Sequence, residues 1–228
     1  QIVLRGGWVF FVDSDELAEV PGGGLRELLR YCNARGFTAV VTQMLDLYAT
    51  VPLSQTRGLN YAQARAALDH YSLTGVQRQP YHAPESGIAW FLRDNQGADG
   101  VELLTGGLRH EVFGENCLLT KHSLVCNLPK AQLMTHAHAA SGVCVADVSC
   151  VLRHYKLAGD FAARDRASVA AGTWDHAEDQ RRVNAVGDAD FTISAVEGRP
   201  YAGPDQLVAD GFLVASRAYL ETAAETGA

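Results

Sequence analysis

The longest apolar stretches of the chain lie around Trp8–Val12 and Ala39–Leu47, and both have the length of strands. Trp8-Val9-Phe10-Phe11-Val12 is β-branched and aromatic without alternation, the pattern of a strand covered on both faces in an α/β sheet. Between the two stretches, Leu25, Leu28, Leu29 and Cys32 recur at i, i+3, i+4 and i+7. That spacing predicts an amphipathic helix over 25–34, with Gly36 as its C-terminal cap. Strand, helix and strand with short joints form a βαβ-like unit and predict a mainly parallel sheet here. The pattern weakens from Ala49 to Gly100, where Pro52, Pro80, Pro84 and several glycines break the chain into loops around a helix at Tyr61–Tyr71. Strands are expected again at Val101–Leu104, Cys117–Thr120 and Val148–Tyr155. Surface helices are expected at Phe161–Ala171 and Ala177–Val186.

Polar residues placed against this frame suggest the chemistry. Asp13-Ser14-Asp15-Glu16 crowds three carboxylates into four positions directly after an apolar strand. In an extended segment, side chains at i and i+2 point the same way, so Asp13 and Asp15 are expected to face one site. Paired carboxylates repel unless a cation lies between them, and hard divalent ions accept carboxylate oxygen while sharing themselves with substrate phosphates. The competing reading is an acidic loop capping the helix that begins near Gly24. Thr105-Gly106-Gly107-Leu108-Arg109-His110 places paired glycines after a strand, which suits either an anion-binding backbone or a plain turn. His136, His138 and His154 form a third set, with Lys156 two residues beyond His154 and able to meet a phosphate. The other five histidines lack such context.

Composition narrows the classes. With 47% apolar and 20% charged residues, the 228-residue chain is rich enough to bury a core. A net charge of -7 leaves no basic stripe for nucleic acid, so no nucleic-acid partner is expected. Five scattered cysteines form no C-x-x-C pair, which favours a reducing, cytoplasmic setting over a disulfide framework. No apolar run reaches the roughly 18–20 residues of a spanning helix, so no transmembrane segment is expected.

Taken in order, the pieces resemble a known family. Gly7-Trp8-Val9-Phe10-Phe11-Val12-Asp13-Ser14-Asp15-Glu16-Leu17 is similar to the W-V-x-x-x-D-x-D-E-F motif of bacterial family 2-like glycosyltransferases of the GT-A fold. Met44–Tyr48 resembles that branch's M-x-D-M-Y segment, and Gly106-Gly107-Leu108-Arg109 through Phe113-Gly114 its G-G-x-R-x-x-x-F-G loop. Lys121 with Ser123-Leu124-Val125 resembles K-x-P-L-V, Thr135–His138 the S-x-H turn, and Leu152–Leu157 L-x-H-F-K-F, with Trp174 following. The likeness runs from Gly7 to Phe212. Leu17 replaces a usual Phe, Ser123 stands where Pro is common, and His110 and Glu111 occupy loop positions often basic in relatives.

The resemblance implies an α/β, GT-A-like fold with a mainly parallel or mixed sheet flanked by helices. One catalytic domain over 1–228 is implied, with 158–228 a helical tail. Relatives carry further residues upstream that hold the first strands and the base-binding part. The chain therefore reads as the N-terminally truncated, C-terminal two thirds of the domain and is expected to be inactive alone.

The implied activity moves a sugar from a nucleotide-diphospho-sugar to an acceptor hydroxyl on a saccharide, a lipid-linked molecule or a protein. It would occur in the cytoplasm or peripherally at the inner membrane face. Implied roles are Asp13 and Asp15 for Mn²⁺ or Mg²⁺, completed by His138 or His154, and Asp13, Arg109 and Lys156 for the donor. Asp46 is the first candidate for the general base and Glu111 the second. The alternatives are a metal-dependent phosphohydrolase or nucleotidyltransferase, or a non-catalytic sugar-binding module of the same fold.

Overall fold

The computed structural model describes residues 6–172, 177–187, 190–195 and 197–226. Trp174 and His176 lie outside them. The strands are β1 (Trp8–Phe10), β2 (Glu16–Glu19), β3 (Ala39–Asp46), β4 (His70–Tyr71), β5 (Val76–Pro80), β6 (Gln96–Gly97), β7 (Glu102–Gly106), β8 (Thr120–Cys126), β9 (Gln132–His136), β10 (Ala139–Ser141), β11 (Cys144–His154) and β12 (Arg199–Pro200). The helices are α1 (Leu25–Arg35), α2 (Tyr61–Ala67), α3 (Ala89–Leu92), α4 (Leu108–Phe113), α5 (Phe161–Ala171), α6 (Glu178–Val186), α7 (Pro204–Ala209) and α8 (Arg217–Thr226).

The main sheet runs β1-β8-β3-β11-β2, with β6 beside the start of β11. It is mixed. β3 and β11 are parallel, whereas β8 is antiparallel to both β1 and β3, and β2 is antiparallel to β11. β3 is buried along its whole length because the two faces of the sheet are covered. Val40 packs with Leu28, Cys32, Val148 and Tyr219 under α1 and α8. Its neighbours Ala39 and Val41 face the opposite way, onto Tyr81, Leu92, Leu103 and Val145. This period-2 alternation within a continuous apolar run is what a central strand between two layers requires.

The helix over 25–34 forms as its spacing predicts. Gly36 closes it at φ 75°, the left-handed conformation that favours glycine, with its N–H directed to the carbonyls of Cys32 and Asn33. Trp8–Val12 is not covered on both faces. Among the described residues β1 is an edge strand paired only with β8, its three residues are half-buried, and Val12 is exposed. An aromatic run therefore marks a strand here without marking a central one. β8 also separates β1 from β3, so the two strands of the expected βαβ-like unit are one strand apart.

The expected helix over 61–71 stops at Ala67. Asn60 and Gln63 close its N-terminus with a capping box, but beyond Leu68 the chain turns into β4, which pairs with β12. The C-terminal stretch is mostly helical but is not an appendage: Leu207, Phe212 and Tyr219 are buried in the cores of the main sheet. No helix among the described residues is long and apolar enough to cross a membrane.

Candidate functional site

Strand register builds the site. β3 and β11 end together, with Asp46 opposite His154, and β2 begins beside them with Glu16 opposite His154. β1 and β2 lie on opposite edges of the sheet. The loop joining them, Phe11–Asp15, therefore crosses the carboxyl ends of β3 and β11 and carries Asp13 and Asp15 there. Carboxyl ends of strands in open α/β sheets are the usual place for a ligand.

His154 is the hub. Its Nδ1 lies 2.7 Å from Asp46 Oδ1, and its Nε2 lies 3.5 Å from Asp15 Oδ2. Burial disfavours the imidazolium, but the bonds to Asp15 and Asp46 outweigh it and raise the pKa of His154. The hydrogen bond with His154 in turn lowers Asp15 to about 2 against the cost of partial burial. Asp46 is buried, and burial alone would raise its pKa. The Arg109 charge and the His154 bond reverse that and hold it well below the usual carboxylate range. Arg109 Nε donates to Asp46 Oδ2 at 2.9 Å, so both oxygens of Asp46 are engaged.

The charges continue inward with alternating sign. Arg109 Nη1 is 3.5 Å from Glu115 Oε2, and Glu115 Oε1 accepts from Arg182 Nη1 at 2.6 Å. Arg182 also donates through Nε to Asp165 at 2.6 Å and through Nη2 to Asp179. Buried charges persist only when paired and hydrogen-bonded, and this chain of pairs ties α4, α5 and α6 to the ends of β3 and β11.

A second group sits beside the first. Lys121, buried on β8, donates from Nζ to Asp13 Oδ2 at 2.9 Å and to both oxygens of Glu16 at 3.0 and 3.1 Å. Glu16 Oε2 also accepts from the Asp13 backbone N–H at 2.8 Å, which pins the acidic turn. Burial opposes the ammonium, yet the bonds to Asp13 and Glu16 raise its pKa. Lys121 and Glu16 had no assigned role in the sequence. The available signal was a lysine inside a strand, in the string Lys121-His122-Ser123-Leu124-Val125.

An open cleft of about 310 Å³ adjoins both groups, lined by Asp13, Arg109, His138, His154 and Lys156 among others. Of the residues the sequence singled out, Asp13, Asp15, Asp46, Arg109, His138, His154 and Lys156 thus gather around one end of the sheet. Asp13 and Asp15 do so with different partners, because their segment is an irregular turn rather than extended chain: Asp13 meets Lys121 and Asp15 meets His154. His138 directs Nδ1 to the carbonyl of Thr120 at 3.0 Å, and burial lowers its pKa. Glu111 instead accepts from Ser72 Oγ at 2.8 Å. The Gly106-Gly107 pair adopts positive φ, but its amides are spent on the carbonyls of Cys117 and Gly75, so it is a turn and not an anion cradle.

The donors present fit a divalent ion in part. An imidazole whose Nδ1–H is fixed by a carboxylate keeps Nε2 as a ligand atom, the arrangement common behind protein metal sites. Asp46 supplies that carboxylate, and Asp15, 3.5 Å from Nε2, would be a second ligand. Among the described residues no set of three or more His, Cys, Asp and Glu converges as a ready metal cage. Mg²⁺ and Mn²⁺ are commonly held by one or two protein carboxylates, with waters and substrate phosphates completing the shell.

The fold and site define an α/β protein with a charged cluster at the carboxyl end of a mixed sheet. No protein-family model matches the chain, and neither the curated proteins nor the solved structures give a match.

Proposed function

We propose that this chain carries the catalytic centre of a metal-dependent glycosyltransferase that uses a nucleotide-diphospho-sugar donor. The observation that supports it most is His154, held between Asp46 and Asp15 and lining a polar cleft that Lys156 and Asp13 also line. Transfer breaks the bond between the sugar's anomeric carbon and the diphosphate oxygen and joins that carbon to the acceptor oxygen. The acceptor's proton must go to a base, and the nucleoside diphosphate leaves with the bonding electrons.

Asp15 and His154 would hold the divalent ion, which when bound neutralises charge developing on the leaving diphosphate. Lys156 adds a positive charge on the same side. Asp46 orients His154 and is not a base, since it is buried and both its oxygens accept hydrogen bonds. Asp13 suits proton removal better. Its side chain is 72% exposed, and among the described residues only one of its oxygens is engaged, by Lys121.

The test is turnover of a UDP-sugar panel by the protein with Mn²⁺ and with EDTA, alongside calorimetry with UDP and Mn²⁺. Metal-dependent release of UDP with a sugar moved to an acceptor supports the reading. Equal rates in EDTA, or phosphate release with no transfer, sink it, and the second outcome favours a phosphohydrolase.

A further inference from the structure

Beside the charged cleft lies a second, larger groove of about 380 Å³ with a different character. Its floor follows from strand pairing. β5 and β7 are antiparallel, with Gln77 opposite Thr105 and Gln79 opposite Leu103. Directly paired residues, and those two apart on one strand, share a face. Thr105 also bridges to Leu118 on its other side. The floor is thus a patch in which Gln77, Gln79 and Thr105 alternate with Leu103 and Leu118. The walls are Glu85–Ile88, Asn116 and His136.

Two features decide what such a surface takes. The first is charge. The cleft at the sheet end gathers carboxylates, lysine and guanidinium, whereas Glu85 is the one carboxylate lining this groove. The second is unspent hydrogen-bonding capacity. Among the described residues the side chains of Gln77, Gln79 and Asn116 make no hydrogen bond, and an amide offers both a donor pair and an acceptor. Amides and a hydroxyl interleaved with flat apolar surface match a ligand with hydroxyls around its rim and C–H groups on its faces. Among the described residues no lysine or arginine lines the groove, so a phosphate would find no permanent cation here.

Asn116 and Leu118 line both the groove and the charged cleft, so the two adjoin. We infer that the groove binds a neutral saccharide and is the acceptor site of the transfer, with Gln77, Gln79 and Asn116 as its specificity-determining residues. The saccharide part rests on the groove's own chemistry. Its role as acceptor rests on the transferase reading.

The experiment has two arms. In the first, cellobiose, lactose and N,N′-diacetylchitobiose are titrated into the protein by calorimetry, with digalacturonate as the acidic control. At least one neutral disaccharide should bind, and the Gln77→Leu/Gln79→Leu variant should weaken it about tenfold or more while its melting temperature stays unchanged. Binding of none, binding unaffected by the double substitution, or equal binding of digalacturonate overturns the inference.

In the second arm the same variant is assayed with a UDP-sugar, and transfer is compared with plain hydrolysis of the donor. The acceptor KM should rise about tenfold with hydrolysis unchanged. Equal loss of transfer and hydrolysis overturns the acceptor role. A protein that binds the disaccharide through Gln77 and Gln79 but neither binds nor splits any UDP-sugar keeps the saccharide groove and refutes the transferase reading.

Discussion

His154 and Asp46 stand 2.7 Å apart across two parallel strands whose register puts them side by side. Both are buried, so each depends on its neighbours for its charge: Asp46 on Arg109 and His154, and His154 on Asp15 and Asp46. Replacing Asp46 by Asn leaves Arg109 and His154 without their shared anion. Removing one partner of a buried pair costs about 3–5 kcal/mol, because the remaining charge is uncompensated. Urea denaturation of Asp46→Asn should show that loss, and the His154 imidazole should titrate at lower pH by NMR. An unchanged denaturation midpoint and unchanged titration would refute the pairing.

Asp15 predicts the opposite balance of effects. Its side chain is 35% exposed, and its Oδ2 lies 3.5 Å from His154 Nε2. Asp15→Asn should therefore leave stability nearly intact while lowering metal-dependent turnover by roughly two to three orders of magnitude. A variant with full activity and normal Mn²⁺ dependence would remove Asp15 from the site.

Two buried histidines should make stability depend on pH with opposite signs. His122 Nε2 lies 2.6 Å from Tyr81 Oη, and its Nδ1 donates to the His138 carbonyl at 3.1 Å. Burial lowers its pKa to about 4. The unfolded chain binds the proton more readily, so this contribution is present above the unfolded value of about 6.5 and is lost as pH falls toward 4, by up to about 3 kcal/mol. His154 has a raised pKa, so its contribution is present below about 6.5 and is lost as pH rises through the folded value. Denaturation midpoints across pH 4–8, with NMR titration of both rings, check the two signs. A midpoint that does not change between pH 4 and 6.5 would contradict the assignment of His122.

Arg182 is buried among Glu115, Asp165 and Asp179, each bonded to a different guanidinium nitrogen. Arg182→Lys keeps the charge but cannot span three carboxylates with one ammonium. We expect both Arg182→Lys and Arg182→Met to destabilise, with Arg182→Met losing about 3–5 kcal/mol. Thermal melts decide this, and a lysine variant as stable as the parent would show that charge alone suffices.

Backbone strain gives a further check. A Cβ added at Gly106 would lie 2.4 Å from the Gly75 carbonyl oxygen at a φ of 83°. Gly106→Ala should unfold or markedly destabilise the β5–β7 ribbon, since neither obstacle can move cheaply. Circular dichroism and a melt of the purified variant measure it, and a native-like transition would show the turn is more yielding than its geometry implies.

Local pattern determined a good deal of this protein. The 3.6-residue spacing of Leu25, Leu28, Leu29 and Cys32 and the glycine after it specify α1, and the apolar run from Ala39 specifies β3, because these signals act between near neighbours. The likeness of short strings also placed Asp13, Asp15, Asp46, Arg109, His138, His154 and Lys156 among the residues of interest. Their partners were decided by the tertiary structure. Strand order is a long-range matter, and only the insertion of β8 between β1 and β3 brings Lys121 to Asp13. Burial decided the rest: Asp46 reads as a strand-end carboxylate in sequence, yet Arg109 and His154 close over both its oxygens. No local spacing encodes that, because those residues lie 63 and 108 positions further along the chain.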